Sequence, residues 1–66
     1  MNTFRAFVLN DDDKIISSEI LDVTSDEDAI AAARVFALEN DLEIWQGQRR
    51  IARMNKGGEV KLFPNA

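Results

Sequence analysis

The sequence predicts an α+β domain in which an antiparallel sheet of four or five strands carries one helix on one face. Two pairs of apolar segments are separated by short polar turns, and one amphipathic segment joins the pairs. Such patterns are typical of β-hairpins and of a helix that packs on a sheet. The order is ββαββ, or ββαβββ with a short last strand, in a single domain covering all 66 residues. The predicted strands cover residues 3–9, 15–23, 42–46, 49–54 and optionally 59–63, and the helix covers residues 25–39.

The first hairpin is predicted from two segments rich in aromatic and β-branched residues. The turn between them, Asn10–Asp13, contains residues that tolerate left-handed backbone and hydrogen-bond to their own chain. A three-residue loop would place Leu9 opposite Ile15. It would also place Arg5 opposite Glu19, in a cross-strand pair of opposite charges.

The helix is predicted to begin at a capping box formed by Thr24 and Glu27. Asn40 is expected to end it in a left-handed conformation. A narrow second strip of Ala31, Val35 and Leu38 is interpreted as the flank of the buried stripe, with an extended interface as the alternative. The main apolar stripe consists of Ala29, Ile30, Ala33, Phe36 and Ala37.

The second hairpin is predicted to turn at Gly47–Gln48. A two-residue type II′ turn places glycine first, as here. This turn would place Trp45 opposite Arg50 and Ile44 opposite Ile51.

Strand alternation predicts apolar residues on both faces of the sheet. Small residues favour one face for the helix: Phe4, Ala6, Val8, Ile16, Ile20, Leu42, Ile44 and Ile51. A single helix covers only one face, so the other is expected to bind a second copy or an unidentified protein partner. This predicted interaction surface consists of Phe7, Leu9, Ile15, Leu21, Trp45, Arg50, Ala52 and Met54.

Composition excludes several classes of site. The chain has no cysteine and no histidine, which excludes disulfides and a typical structural zinc site. Small domains often need such support, so homodimerisation is the expected substitute. The three aspartates of the first turn lack the alternating ligands and distal glutamate of a calcium loop. We therefore expect no enzyme, no cofactor and no metal, and we expect a cytoplasmic protein that does not enter a membrane.

Charge is distributed unevenly along the chain. Residues 1–47 contain three cations and eleven acids, whereas residues 48–66 contain five cations and one acid. The alternative function is therefore a nucleic-acid-associated regulator, in which Arg49, Arg50 and Arg53 bind phosphates and Trp45 stacks on a base. Nucleic-acid-binding domains are usually basic, and the pI near 4.5 ranks this alternative second. A third possibility is an accessory subunit of a larger complex.

Three segments resemble small uncharacterised bacterial proteins with a ββαββ pattern. They are FRAFVLNDDDKII at Phe4–Ile16, DEDAIAAAR at Asp26–Arg34 and EIWQGQRRIAR at Glu43–Arg53. The most specific element is the Trp-x-Gly-x-Arg hairpin at Trp45, Gly47 and Arg49. The resemblance implies the same fold for residues 3–54, and it implies no catalytic residue or ligand.

Overall fold

A computed structural model describes residues 3–63, and it confirms the α+β fold class: one helix lies on a five-stranded antiparallel sheet. The ends of the predicted domain, residues 1–2 and 64–66, lie outside the described residues. No helix in the described part of the chain is long and apolar enough to cross a membrane. The elements are β1 (Phe4–Leu9), β2 (Ile15–Leu21), α1 (Asp26–Ala33), a 3₁₀ turn (Arg34–Phe36), β3 (Asp41–Gln46), β4 (Arg49–Met54) and β5 (Val60–Leu62).

The strand order in the sheet is β2-β1-β3-β4-β5. The first strand therefore lies between β2 and β3 and pairs with both. Helix α1 carries the chain from β2 across one face to β3. This order leaves β2 and β5 as the two edge strands of the described sheet.

The first turn is organised by one side chain. The Asn10 Oδ1 atom accepts hydrogen bonds from the backbone N–H groups of Asp12, at 2.9 Å, and Lys14, at 3.0 Å. Asp13 adopts a left-handed conformation with φ of 61°. The polar turn residues thus have the role that the sequence predicts for them.

The register of the first hairpin is predicted correctly only beside the turn. Leu9 pairs with Ile15, as expected, but a bulge at Ile16 shifts all later pairs by one residue. Arg5 therefore lies opposite Ile20, and the predicted Arg5–Glu19 pair is wrong. A bulge inserts one unpaired residue and so reverses the alternation of the strand beyond it.

The second hairpin contains the predicted two-residue turn. Gly47 has φ of 59°, which a type II′ turn requires at its first central position. Trp45 pairs with Arg50, as predicted. A second bulge at Ile51 then places Ile44 opposite Ala52 instead of Ile51.

Both predicted ends of the helix need correction. The N-cap is Ser25, not Thr24, and its Oγ accepts a hydrogen bond of 3.1 Å from the Asp28 N–H. Helix α1 ends at Ala33 and continues as the 3₁₀ turn. Asn40 is not left-handed; its side-chain amide instead donates a hydrogen bond to the Leu9 carbonyl oxygen at 3.2 Å. This bond ties the helix–β3 connection to β1.

The helix packs on the sheet through three alanines. Ala29, Ala33 and Ala37 are buried, and the partly buried Ile30 and Phe36 pack against the same core. The predicted main stripe is therefore confirmed. The second strip is not a flank of the core, because Ala31, Val35 and Leu38 are exposed.

The two bulges also correct the assignment of sheet faces. Leu21, Ala52 and Met54, predicted for the surface away from the helix, are buried in the core that contains the helix alanines. Ile16 and Ile20, predicted for the core, are more than half exposed. A prediction with regular alternation cannot anticipate this result, since each bulge moves the residues beyond it to the opposite face.

Replacing Ala33 with leucine should destabilise the domain because the larger side chain has no room between α1 and the sheet. We expect a loss of about 1–3 kcal/mol in the free energy of unfolding. The control is Ala31→Leu, on the exposed side of the same helix, which should change stability by less than about 0.5 kcal/mol. Urea unfolding followed by circular dichroism measures both. Equal stabilities of the two variants would contradict the assigned helix face.

Candidate interaction surface

The sheet face away from α1 is called the open face. Across its middle, Ile20, Arg5, Trp45 and Arg50 form one row from β2 to β4. The adjacent row toward the first turn contains Ser18, Phe7, Glu43, Arg53 and Lys61, and the next contains Ile15, Leu9 and Asp41. Apolar residues are concentrated toward β2, and charged residues toward β4.

Two aromatic rings occupy the centre of the open face. The ring centroids of Phe7 and Trp45 lie 6.4 Å apart at an interplanar angle of 82°. This edge-to-face geometry is favourable for aromatic pairs. Both side chains are only partly buried. The pair is thus a fixed apolar platform that remains accessible from solvent.

Strand β2 exposes more apolar surface than any other strand described. Ile15 is 62% exposed, Ile16 is 55% exposed and Ile20 is 64% exposed. Only Leu21, at the end of the strand, is buried. Strand β2 has one strand neighbour, β1, and its other side has no strand neighbour among residues 3–63. We call the outer side of β2 with these isoleucines the β2 edge.

Ion pairs cover the opposite half of the open face. The Arg53 guanidinium lies 2.8 Å from an Asp13 carboxylate oxygen, 3.2 Å from one of Asp41 and 3.6 Å from one of Glu43. The contact with Asp13 joins β4 to the first turn, and β3 and β1 lie between them. It therefore crosses the open face near Leu9, which is only 5% exposed.

Glu43 connects the charged half to the aromatic pair. One of its carboxylate oxygens accepts a hydrogen bond of 3.1 Å from the Trp45 indole N–H, and the other lies 3.6 Å from the Arg50 guanidinium. The Arg50 guanidinium also lies 3.9 Å from the ring centroid of Phe63, in a cation–π contact. These contacts hold the indole in one orientation.

Arg49 anchors the helix start to the second hairpin. Its guanidinium donates two hydrogen bonds to Asp26, at 2.8 and 3.1 Å, and one to the Gln46 side-chain oxygen at 2.5 Å. The hydrogen bond from Arg49 lowers the pKa of the Asp26 carboxyl below its ordinary value. All three arginines of the hairpin thus contact carboxylates of this chain.

Asp41 is held in its charged form by a backbone group. Its carboxylate accepts a hydrogen bond of 2.7 Å from the Lys56 N–H, and this bond is the largest cause of a lowered pKa. The Arg53 guanidinium lowers the pKa of the same carboxyl further. Asp41 therefore joins the β4–β5 turn to the ion pairs of the open face.

One shallow depression lies beside the start of the helix. Its volume is about 180 Å³, and it lies where Asp26 and Ile30 of α1 approach Ile51 and Phe63. Pockets for small ligands usually measure about 300–1,000 Å³. Within residues 3–63, no group of three or more His, Cys, Asp or Glu side chains could hold a metal ion.

The eight predicted surface residues separate into two groups. Phe7, Ile15, Trp45 and Arg50 lie on the open face with exposed surface, whereas Leu9 lies there but is covered. The remaining three, Leu21, Ala52 and Met54, belong to the core. Sequence reasoning missed Ile16 and Ile20. The sequence does contain a signal of an edge strand. Polar side chains lie on both faces of β2, at Ser17, Ser18 and Glu19, which is typical of a strand at the edge of a sheet.

Comparison with known proteins finds no family, no curated protein and no solved structure that matches this chain. The resemblance to uncharacterised ββαββ proteins stays a prediction. A function can therefore be inferred only from the geometry of the open face and the β2 edge.

Replacing Asp41 with asparagine should reduce stability in a pH-dependent way. The folded-state pKa of Asp41 is below the ordinary value of 3.8, so the charged carboxylate stabilises the fold above that value. This contribution is lost as pH falls through the lowered pKa. The stability difference between wild type and Asp41→Asn should thus be largest above about pH 5 and shrink below pH 3.8.

The measurement is urea unfolding at a series of pH values between about 2 and 7, a range that spans carboxyl titration. Asparagine retains an oxygen that can accept the Lys56 N–H bond, so the variant isolates the effect of the charge. A difference that stays constant over the whole series would show that the Asp41 charge does not stabilise the fold.

Proposed function

We propose that this chain is a small, non-enzymatic protein-interaction module that binds its partner along the β2 edge and the adjoining apolar part of the open face. The observation that carries the proposal is the exposure of Ile15, Ile16 and Ile20, each above half, on one edge strand. A contiguous apolar patch on a small domain is typical of a binding surface.

The β2 edge lacks the usual protection against pairing. Edge strands are commonly shielded by proline, by several charges or by a covering segment. Strand β2 contains no proline and a single charged residue, Glu19. Among the described residues, its bulge at Ile16 is the one protective feature, and it leaves Ser17 to Leu21 regularly paired with β1. The strand is therefore suited to receive a further strand.

The charged half of the open face supports the same function. Interfaces typically combine an apolar centre with a polar rim. Arg53, Asp41 and Glu43 form mutual ion pairs beside the Phe7–Trp45 platform. Because these side chains are already paired, they can border an interface without leaving an isolated charge buried.

The nucleic-acid alternative gains no support from the geometry. Arg49 contacts Asp26, Arg50 contacts Glu43, and Arg53 contacts three carboxylates. Phosphate binding would have to displace carboxylates that already pair with these cations, on a chain of net charge −4. The possibility of an accessory subunit is compatible with the proposal, since such a subunit also binds through a protein surface.

The test places a photo-crosslinking phenylalanine analogue at Ile20 of the full chain in the cells that produce it. We expect one defined adduct, to a protein that mass spectrometry identifies as a second copy or as another chain. The matched control has the analogue at Val35, which is equally exposed on the 3₁₀ turn after the helix. The absence of any adduct at Ile20, or the same adduct from Val35, would contradict the proposal.

A quantitative measurement with the identified protein follows. Ile20→Lys should weaken binding to the purified chain at least about tenfold, because a charge would replace a central apolar contact. Val35→Lys should leave the dissociation constant unchanged. Calorimetric titration measures both constants, and circular dichroism verifies that both variants are folded.

A further inference from the structure

We infer that the partner is a second copy of this chain, and that two β2 strands pair antiparallel around a two-fold axis at Ser18. This inference depends on the proposed function and adds to it the identity of the partner and the register. The pairing would join the two five-stranded sheets into one continuous sheet. The symmetry axis is perpendicular to the sheet, so both helices would lie on the same side.

The sequence of β2 is self-complementary around Ser18. The bulge places Ile15 and Ile16 together opposite one residue of a neighbouring strand. In the second copy that residue is Ile20, and both Ile15 and Ile20 lie on the open face. Next to the axis, Ser17 lies opposite Glu19, whose carboxylate the serine hydroxyl can bind.

Other symmetric registers match less well. The backbone N–H and C=O groups of successive residues point alternately to the two sides of a strand. A symmetric antiparallel pair can therefore form its hydrogen bonds only when one residue lies opposite its own copy. An axis at Glu19 would set two carboxylates against each other. An axis at Ser17 would set Ile15 and Ile16 against Ser18. Of these three registers, only the one centred on Ser18 pairs isoleucine with isoleucine and keeps the two Glu19 carboxylates from lying opposite each other.

Exposure of the participating residues fits this pairing. Ile15, Ile16, Ser18 and Ile20 are exposed. Strand β2 pairs with β1 on one side, and among residues 3–63 no strand lies on its other side.

The bulge at Ile16 limits the regular hydrogen-bonded ladder. Backbone pairing would cover Ser17 to Glu19 of both copies, and Ile20 of each copy would contact Ile15 and Ile16 of the other at the two ends of this ladder. A ladder this short produces a weak dimer. We therefore expect a dissociation constant in the micromolar range, between about 1 µM and 1 mM.

The first test places a charge at Ser17 of the purified full chain and measures sedimentation equilibrium over that concentration range. Ser17→Glu should weaken the dimer about tenfold, because it creates two like-charge pairs with Glu19 of the other copy. Ser17→Lys should strengthen the dimer about tenfold, since opposite charges then meet twice. Equal dissociation constants of the two variants would overturn the register.

The second test uses cysteine, which the natural chain lacks. Ser18→Cys should form an intermolecular disulfide under mild oxidation, because opposed Cα atoms in an antiparallel pair lie about 4.5–5.5 Å apart, within disulfide range. Ser17→Cys is the matched control: its own copy would lie two residues away along the partner strand, about 7–8 Å or more, beyond that range. Equal crosslinking of the two variants would overturn the axis at Ser18.

The two proposals fail in different ways. A wild-type chain that remains monomeric at about 1 mM would overturn the dimer. If the photo-crosslinker at Ile20 then still captures a different protein that binds the purified chain, the interaction module stands without self-association. If the chain is monomeric and Ile20 captures nothing, both proposals are wrong.

Discussion

Close approach between α1 and the sheet is the contact on which the rest of this structure depends. Ala29 and Ala33 of the helix, with Ala37 just beyond it, are buried against Ala6 and Ile44 of the central strands. Alanine side chains let the helix backbone lie near the sheet, so a helix of only eight residues closes the core. Residues 3–63 contain no second α-helix for the opposite face, which is left to other contacts.

Polar side-chain contacts cover part of the open face, whereas the helix covers the other face of the sheet. Arg53 joins three carboxylates from the first turn and β3, and Glu43 fixes the Trp45 indole. These contacts need no additional chain, because they use side chains that the strands already direct outward. None of these contacts extends to β2, however, and its isoleucines stay exposed. The β2 edge therefore stays exposed, because no contact among residues 3–63 covers it.

Sequence reasoning could predict the elements because each has a local cause. Gly47 specifies a tight turn, the acidic residues from Asp26 favour a helix start, and the alanine spacing identifies the buried side of α1. The two bulges have no such local signal in the sequence, and they place Leu21 and Ala52 in the shared core. Three residues of the predicted surface are wrong for this reason, because the bulges place them in the core. A fourth, Leu9, lies on the open face as predicted but is only 5% exposed.

The two edges of the sheet also explain why association through β2 would stop at two copies. Strand β5 has three residues with Lys61 at its centre, whereas β2 has seven residues and a self-complementary sequence. Pairing of β2 with β5 would be head-to-tail and would allow unlimited growth of the sheet. Pairing of β2 with its own copy covers the exposed edge strand of both molecules. The edges that remain are the two short β5 strands, each with Lys61 at its centre. A palindromic edge thus gives a closed assembly, and the isoleucines that would favour aggregation in a monomer become its apolar contact.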